Sequence, residues 1–138
     1  MTTGTIVDHQ MEGYTREIMI ETGGKGPDII LEMLSNVNLN KDLQMIAHGG
    51  KICVIGCRGT IEINPRLLMA KESHIYGIGL ANASKPEVKE MKAAIEAGLQ
   101  YGWVTPSVSS VQTLTNAKGA HITLMTDASL IGRIIMSV

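Results

Sequence analysis

The chain predicts an α/β fold: an open, mainly parallel sheet with helices on both faces. Three observations predict it. Residues 28–33 and 51–55 are short apolar runs rich in Ile, Leu and Val, bounded by turn residues such as Gly26, Pro27, Gly49, Gly50 and Gly56. Runs of this length without alternation read as strands buried on both faces, the pattern of a parallel sheet. Between them lie residues 38–47, expected as a helix from Asn38 to Ala47, where Leu39, Leu43 and Ile46 recur at helical spacing with polar residues opposite. Strand, helix and strand in about thirty residues make a βαβ unit, whose crossover is right-handed.

The other elements extend this unit. Residues 5–8 (TIVD) are short and β-branched and read as a strand. Residues 11–21 follow as a helix with Met11, Tyr14 and Ile18 on one stripe, stopped by Gly23 and Gly24. After the second central strand, Asn64 and Pro65 start a short helix through Lys71, because proline suits a first helical turn. The run from Ser73 to Ala81 reads as another buried strand. Ser84, Pro86 and Glu87 form a strong helix start, and Val88, Met91, Ala94, Ile95 and Leu99 share one face up to a stop at Gly102. Beyond Trp103 the signals weaken. Residues 105–111 read as extended, 116–126 as a poor helix containing Gly119, and 131–138 as a strand. The alternation of strands and helices gives an open α/β sheet, in which ligands bind at the carboxyl ends of the strands. Three such ends are singled out: residues 32–38, 55–59 and 78–82.

Composition narrows the function classes. The 138 residues leave room for one domain, and its core is built from aliphatics and nine methionines, with no Phe and one Trp. A net charge of −1, mixed along the chain, supplies no electrostatic surface for nucleic acid or a membrane. No apolar run has the length of a membrane span, and the N-terminus lacks the pattern of a signal peptide. Cys53 and Cys57 lie about 13 Å apart along an extended strand, too far for a disulfide. A reduced, cytoplasmic protein is the expectation.

The strand ends resemble one family. The runs GGKGPDIILEML, HGGKICVIGCRGTIEINPR and MAKES, with GRIIM near the end, are similar to the zeta-crystallin type of NADPH-dependent quinone oxidoreductase, a zinc-free medium-chain dehydrogenase/reductase. RGTIEINPR carries most of the specificity. The resemblance implies an incomplete Rossmann-like domain over residues 1–102 and, over 103–138, a segment that returns to a substrate domain in a full-length member. It implies hydride transfer from NADPH to a quinone, NADP as cofactor, and a homodimer joined through the edge strand from Ser73 to Ala81. It also implies a set of cofactor contacts. His9 matches a position near the adenosine half, and Asn38 one at a strand end. Ile55, Gly56, Cys57 and Arg58 match the turn against the nicotinamide half, and Ile78, Gly79 and Leu80 a strand that approaches it. Cys57 stands where the family usually has serine, and residues 114–119 depart from the family's helix-favouring sequence. No catalytic residue and no metal ligand is implied.

No GxGxxG or GxxGxxG motif occurs, so the expected domain lacks the first βαβ unit and its phosphate-cradling turn. The chain is expected to be a C-terminal part, a short isoform or a truncated product, inactive by itself, with a non-enzymatic scaffold or partner-binding role as the alternative. Read from the residues alone, the Gly56–Gly59 turn is either a tight exit with a solvated Arg58 or a cofactor-facing loop. His9 is either a surface histidine or an adenosine contact. Cys57 is either inert or a thiol activated by Arg58. His48, His74 and His121 show no metal-ligand spacing. With no preceding strand beside residues 28–33, Ile29 and Leu31 are expected to be partly exposed unless residues 5–8 or another chain cover that edge.

Overall fold

A computed structural model describes residues 4–138, which form two compact units, 4–82 and 83–138. In the first, three parallel strands lie in the order β1 (Ile29–Glu32), β2 (Lys51–Val54) and β3 (His74–Gly77). Their register sets Ile30, Ile52 and Ile75 side by side on one face. Against that face pack α2 (Ser35–Met45) between β1 and β2, and α3 (Pro65–Lys71) between β2 and β3. Leu43, Ile46 and Ile52 are fully buried at the centre, ringed by Leu39, Leu67, Leu68 and Val54. Gly26 lets the chain enter β1 beneath the end of α2. Its φ is 84°, and a Cβ there would sit 1.9 Å from the Met45 carbonyl oxygen.

The opposite face of this sheet is uncovered: the apolar runs have the pattern of burial on both sides, but with no strand beyond β1 among the described residues the exposure expected for Ile29 and Leu31 is found. Ile29 and Leu31 are 61% and 64% exposed, as is Met33 at 64%, and the stacked rings of His74 and Tyr76 lie on the same uncovered surface. Residues 5–8, expected as a strand, are not one. They pair with no strand among the described residues, and Thr5 instead donates its hydroxyl to Glu21 at 2.8 Å. A β-branched tetrapeptide has no intrinsic sheet preference strong enough to act without a partner, so β1 keeps an open edge.

Boundaries moved for local reasons. The first helix, α1, begins at Tyr14 and ends at Glu21 because Gly13 adopts a left-handed φ of 81° and acts as its N-cap. The central helix starts at Ser35, three residues before the expected Asn38. The strand expected from Ser73 to Ala81 stops at Gly77, and Leu80 opens a 3-10 turn, Leu80–Asn82.

In the second unit, α4 (Lys85–Tyr101) has the cap its sequence announces. The Ser84 hydroxyl accepts from the Glu87 N–H, and the Glu87 carboxylate accepts in return from the Ser84 N–H at 2.7 Å. β4 (Val108–Thr113) and β5 (Arg133–Ser137) pair in parallel across α5 (Ala117–Thr126). The poor helix forms, with Thr123 and Thr126 hydroxyls bonding back to the carbonyls of Gly119 and Ile122.

Candidate functional site

Parallel strands bring the predicted residues to one end of the first sheet. Ile55 to Arg58 leave the carboxyl end of β2, and Ile78 and Gly79 leave that of β3. The Ile55 N–H donates to the Glu32 carbonyl at 2.8 Å and the Ile78 N–H to the Val54 carbonyl at 2.9 Å, so the three strand ends form one ledge. Along it Ile55, Ile78 and Leu80 are exposed apolar side chains. Asn38 lies half-buried in the first turn of α2, its amide donating to Glu32 Oε1 at 3.3 Å.

The Gly56 turn is held from both sides. Its N–H donates to the Glu32 carbonyl at 3.2 Å, and its carbonyl accepts from both the Ser35 N–H and the Ser35 hydroxyl at 3.0 Å. A Cβ at this position would lie 2.0 Å from the Met33 carbonyl oxygen. Glycine is therefore required by the close approach of the two strand exits, whatever the turn binds. Arg58 is exposed, and its backbone N–H donates to the Asn36 side chain at 2.9 Å. Cys57 is exposed too. Its thiol is held below the ordinary range, first by a hydrogen bond with the Ser35 side chain. Of the two readings of Cys57, activation by the Arg58 guanidinium has no part in this lowering; Arg58 contributes only through its backbone, after Ser35 and Gly59.

His9 stands apart from the ledge. It lines a separate shallow cleft with Tyr14, Lys41 and Gln44, between the turn before α1 and the flank of α2. The strand ends and the His9 cleft thus flank α2 without sharing a hydrogen bond among those found.

Sequence reading missed the most polar feature of the first unit. Glu32, at the end of β1, and Asp42, on α2, are 5% and 2% exposed. Burial first, then the neighbouring Glu32, pushes the Asp42 carboxyl up to about 7. A signal was available: Asp42 adjoins Leu43 on the helical stripe of Leu39, Leu43 and Ile46, where a polar residue needs a partner. Among the described residues no three His, Cys, Asp or Glu side chains converge to hold a metal, and no helix is long and apolar enough to cross a membrane.

Similar proteins are readily found. The family described as "Zinc-binding dehydrogenase" matches residues 3–100. The quinone oxidoreductase of Homo sapiens is 43% identical over 131 residues, covering 95% of this chain and 40% of that protein. The chain thus spans about 40% of the length of the curated relatives it matches. Among solved structures, an NAD-dependent alcohol dehydrogenase superimposes with a TM-score of 0.81 at 22% identity, over 96% of this chain and 37% of that one. A putative NADPH:quinone reductase from Bacillus thuringiensis does so with a TM-score of 0.77 at 17% identity, over 95% and 42%. These two share the fold: a parallel sheet with helices, part of a Rossmann-like domain. The chain belongs to the zinc-binding dehydrogenase family, and its sequence is similar to that of mammalian quinone oxidoreductases over about 40% of their length.

Proposed function

We propose that this chain forms the nicotinamide-side wall of an NADPH-dependent quinone oxidoreductase. The observation that carries the reading is the ledge of Ile55–Gly56–Cys57–Arg58 and Ile78–Gly79–Leu80 at the carboxyl ends of three parallel strands, where open α/β sheets bind ligands. Its exposed apolar side chains suit the face of a nicotinamide ring, and the choice of NADPH follows the resemblance in RGTIEINPR. NADPH would supply a hydride and a quinone would receive it. In that chemistry this chain's part is to bind and orient. Ile55, Ile78 and Leu80 exclude water from one side of the ring, the rigid Gly56 turn keeps that wall in place, and Asn38 and Arg58 offer polar groups beside it. His9 would lie towards the adenosine half. Zinc does not fit the residues described: no donor set that could hold it converges among them. Residues 103–138 would be the segment that returns to a substrate domain. The proposed location is cytoplasmic, in keeping with two free thiols, and the proposed assembly is a homodimer through the edge at β3.

The chain carries no glycine-rich phosphate cradle of its own, so NADPH binding to it alone is expected to be weak, about millimolar or worse, without quinone turnover. Titrating NADPH into isotopically labelled protein tests the reading. Amide shifts should cluster at Asn38, Ile55 to Arg58 and Ile78 to Leu80. Shifts confined to other surfaces would overturn it, and reduction of an ortho-quinone above the spontaneous rate would overturn the expected inactivity. A second reading, a partner-binding module, is favoured by the open edge of β1 and the exposed Ile29, Leu31 and Met33.

A further inference from the structure

Two carboxyl groups buried where β1 meets α2 are not explained by the ledge. Glu32 and Asp42 are both buried, and their carboxyls lie close enough for each to act on the other. The ion pairs among the described residues are Lys25–Asp28 and His48–Glu72, so neither buried carboxyl has a cation within pairing distance. Two adjoining buried carboxylates are not tolerated without a cation; one of them takes up a proton.

Donor counting says which. Glu32 Oε1 already accepts the Leu34 N–H and the Asn38 amide. It also lies at the start of α2, where the helix dipole favours negative charge. Asp42 Oδ2 is buried with no hydrogen-bond partner. Ionised, that oxygen would be orphaned; protonated, the Asp42 carboxyl becomes a donor to Glu32 and the account closes.

We propose that this pair is a proton-operated latch: one proton held between Asp42 and Glu32 keeps β1, α2 and the Gly56 turn locked together, and its loss loosens that joint. The mechanical link is direct, because the Glu32 backbone carbonyl accepts from both Ile55 and Gly56, and Ser35 grips the Gly56 carbonyl. The raised Asp42 value of about 7 places the change near neutrality. The surrounding groups do not compete for the proton. Tyr14, from α1, has its own pKa raised by burial, then by Asp42 and Glu32, and remains a neutral phenol. Lys41, on α2, extends over the Tyr14 ring at 5.5 Å. On the far side of the core, Lys71 of α3 donates to the Ile46 carbonyl at 2.8 Å. β2 presents the apolar Ile52 and Val54, and after it Arg58 is exposed. The latch does not depend on what the ledge binds.

A carboxyl whose folded pKa lies above its unfolded value stabilises fully below the unfolded value. That contribution is lost as pH rises towards the folded one. The window here runs from about 4 to about 7. The test compares the whole chain with its Asp42→Asn variant, whose amide keeps the shape and donates to Glu32 at every pH. Urea unfolding and amide exchange at Ile55 and Gly56 are read at about pH 5 and about pH 8. The parent should lose stability between the two relative to the variant. At the higher pH its Ile55 and Gly56 amides should exchange roughly tenfold faster than the variant's, the factor for one pKa unit. Parallel pH profiles for parent and variant would overturn the latch. Should Asp42→Asn fail to fold, carboxyl carbon shifts of the parent decide. An Asp42 midpoint near neutrality supports the proposal, and one in the ordinary carboxylate range overturns it.

Discussion

Replacing Gly56 by alanine inserts one methyl group into the most constrained point of the ledge. The new Cβ would start 2.0 Å from the Met33 carbonyl oxygen, with the Met33 carbonyl carbon at 2.8 Å. Both are backbone atoms, which cannot rotate aside as the end of a side chain would. The two strand exits must separate, which costs about 1–3 kcal/mol as overpacking. Separation also strains the Gly56 N–H bond to Glu32 and the Ser35 N–H bond to Gly56, each worth about 1 kcal/mol. The sum, if both bonds are lost, is about 3–5 kcal/mol. Gly59→Ala is the matched control, because its nearest neighbours are side-chain atoms of Asn36 at 3.8 and 4.0 Å. It should stay within about 0.5 kcal/mol of the parent. Urea unfolding followed by far-ultraviolet circular dichroism reads both. With a slope of about 1–3 kcal/mol per molar urea, Gly56→Ala should lower the midpoint by about 1 M or more and Gly59→Ala should barely move it. Coincident midpoints for the two variants would refute the close-approach reasoning.

Two further outcomes are expected. If β3 forms the dimer edge, light scattering should give twice the 14.8 kDa chain mass. The His74 and Ile78 N–H groups point inward to β2, so alternation turns the Gly77 N–H outward. Gly77→Pro should then give a monomer or a precipitate, whereas a parent monomeric at high micromolar concentration would reject the dimer. Ser84→Ala should cost the α4 start about 1 kcal/mol, seen as faster amide exchange at Glu87 and Val88. Hydrogen bonds from Ser84 hold the Glu87 carboxyl below its usual range, so the capping contribution is present above that range and lost as pH falls through the lowered value. In Ser84→Ala, which keeps the backbone N–H bond to the Glu87 carboxylate, that pH dependence should shrink.

Much of the fold was legible because the signals are local. Ser84, Pro86, Glu87 and Gly102 lie within the helix they delimit, and the apolar runs around Ile30 and Ile52 with Leu43 between them carry their own periodicity. These features persist in any structure the chain adopts, since caps, turn residues and helical stripes act over three or four residues. The ledge was also within reach: a βαβ unit repeated in parallel must bring its strand exits to one end, so Ile55 and Ile78 become neighbours although twenty-three residues separate them.

What depended on spatial partners did not show. Residues 5–8 have strand-like composition, yet a strand exists only where another supplies hydrogen bonds. The apolar run of residues 28–33 has the pattern of a strand buried on both faces, but burial belongs to whatever covers a face; with no strand beside β1 among the described residues, Ile29 and Leu31 are exposed, as the missing neighbour led one to expect. The reach of the ledge beyond β3 was misjudged because the two-residue alternation of a strand and the tight turn at Leu80 look alike in an apolar run with glycines. The Glu32–Asp42 pair was hidden most deeply. Ten residues separate the two, and only the crossover that lays α2 on β1 brings their carboxyls together out of water. Their proton follows from that enclosure: sequence supplied two ordinary acids, and tertiary burial without a cation made them one ionisable unit.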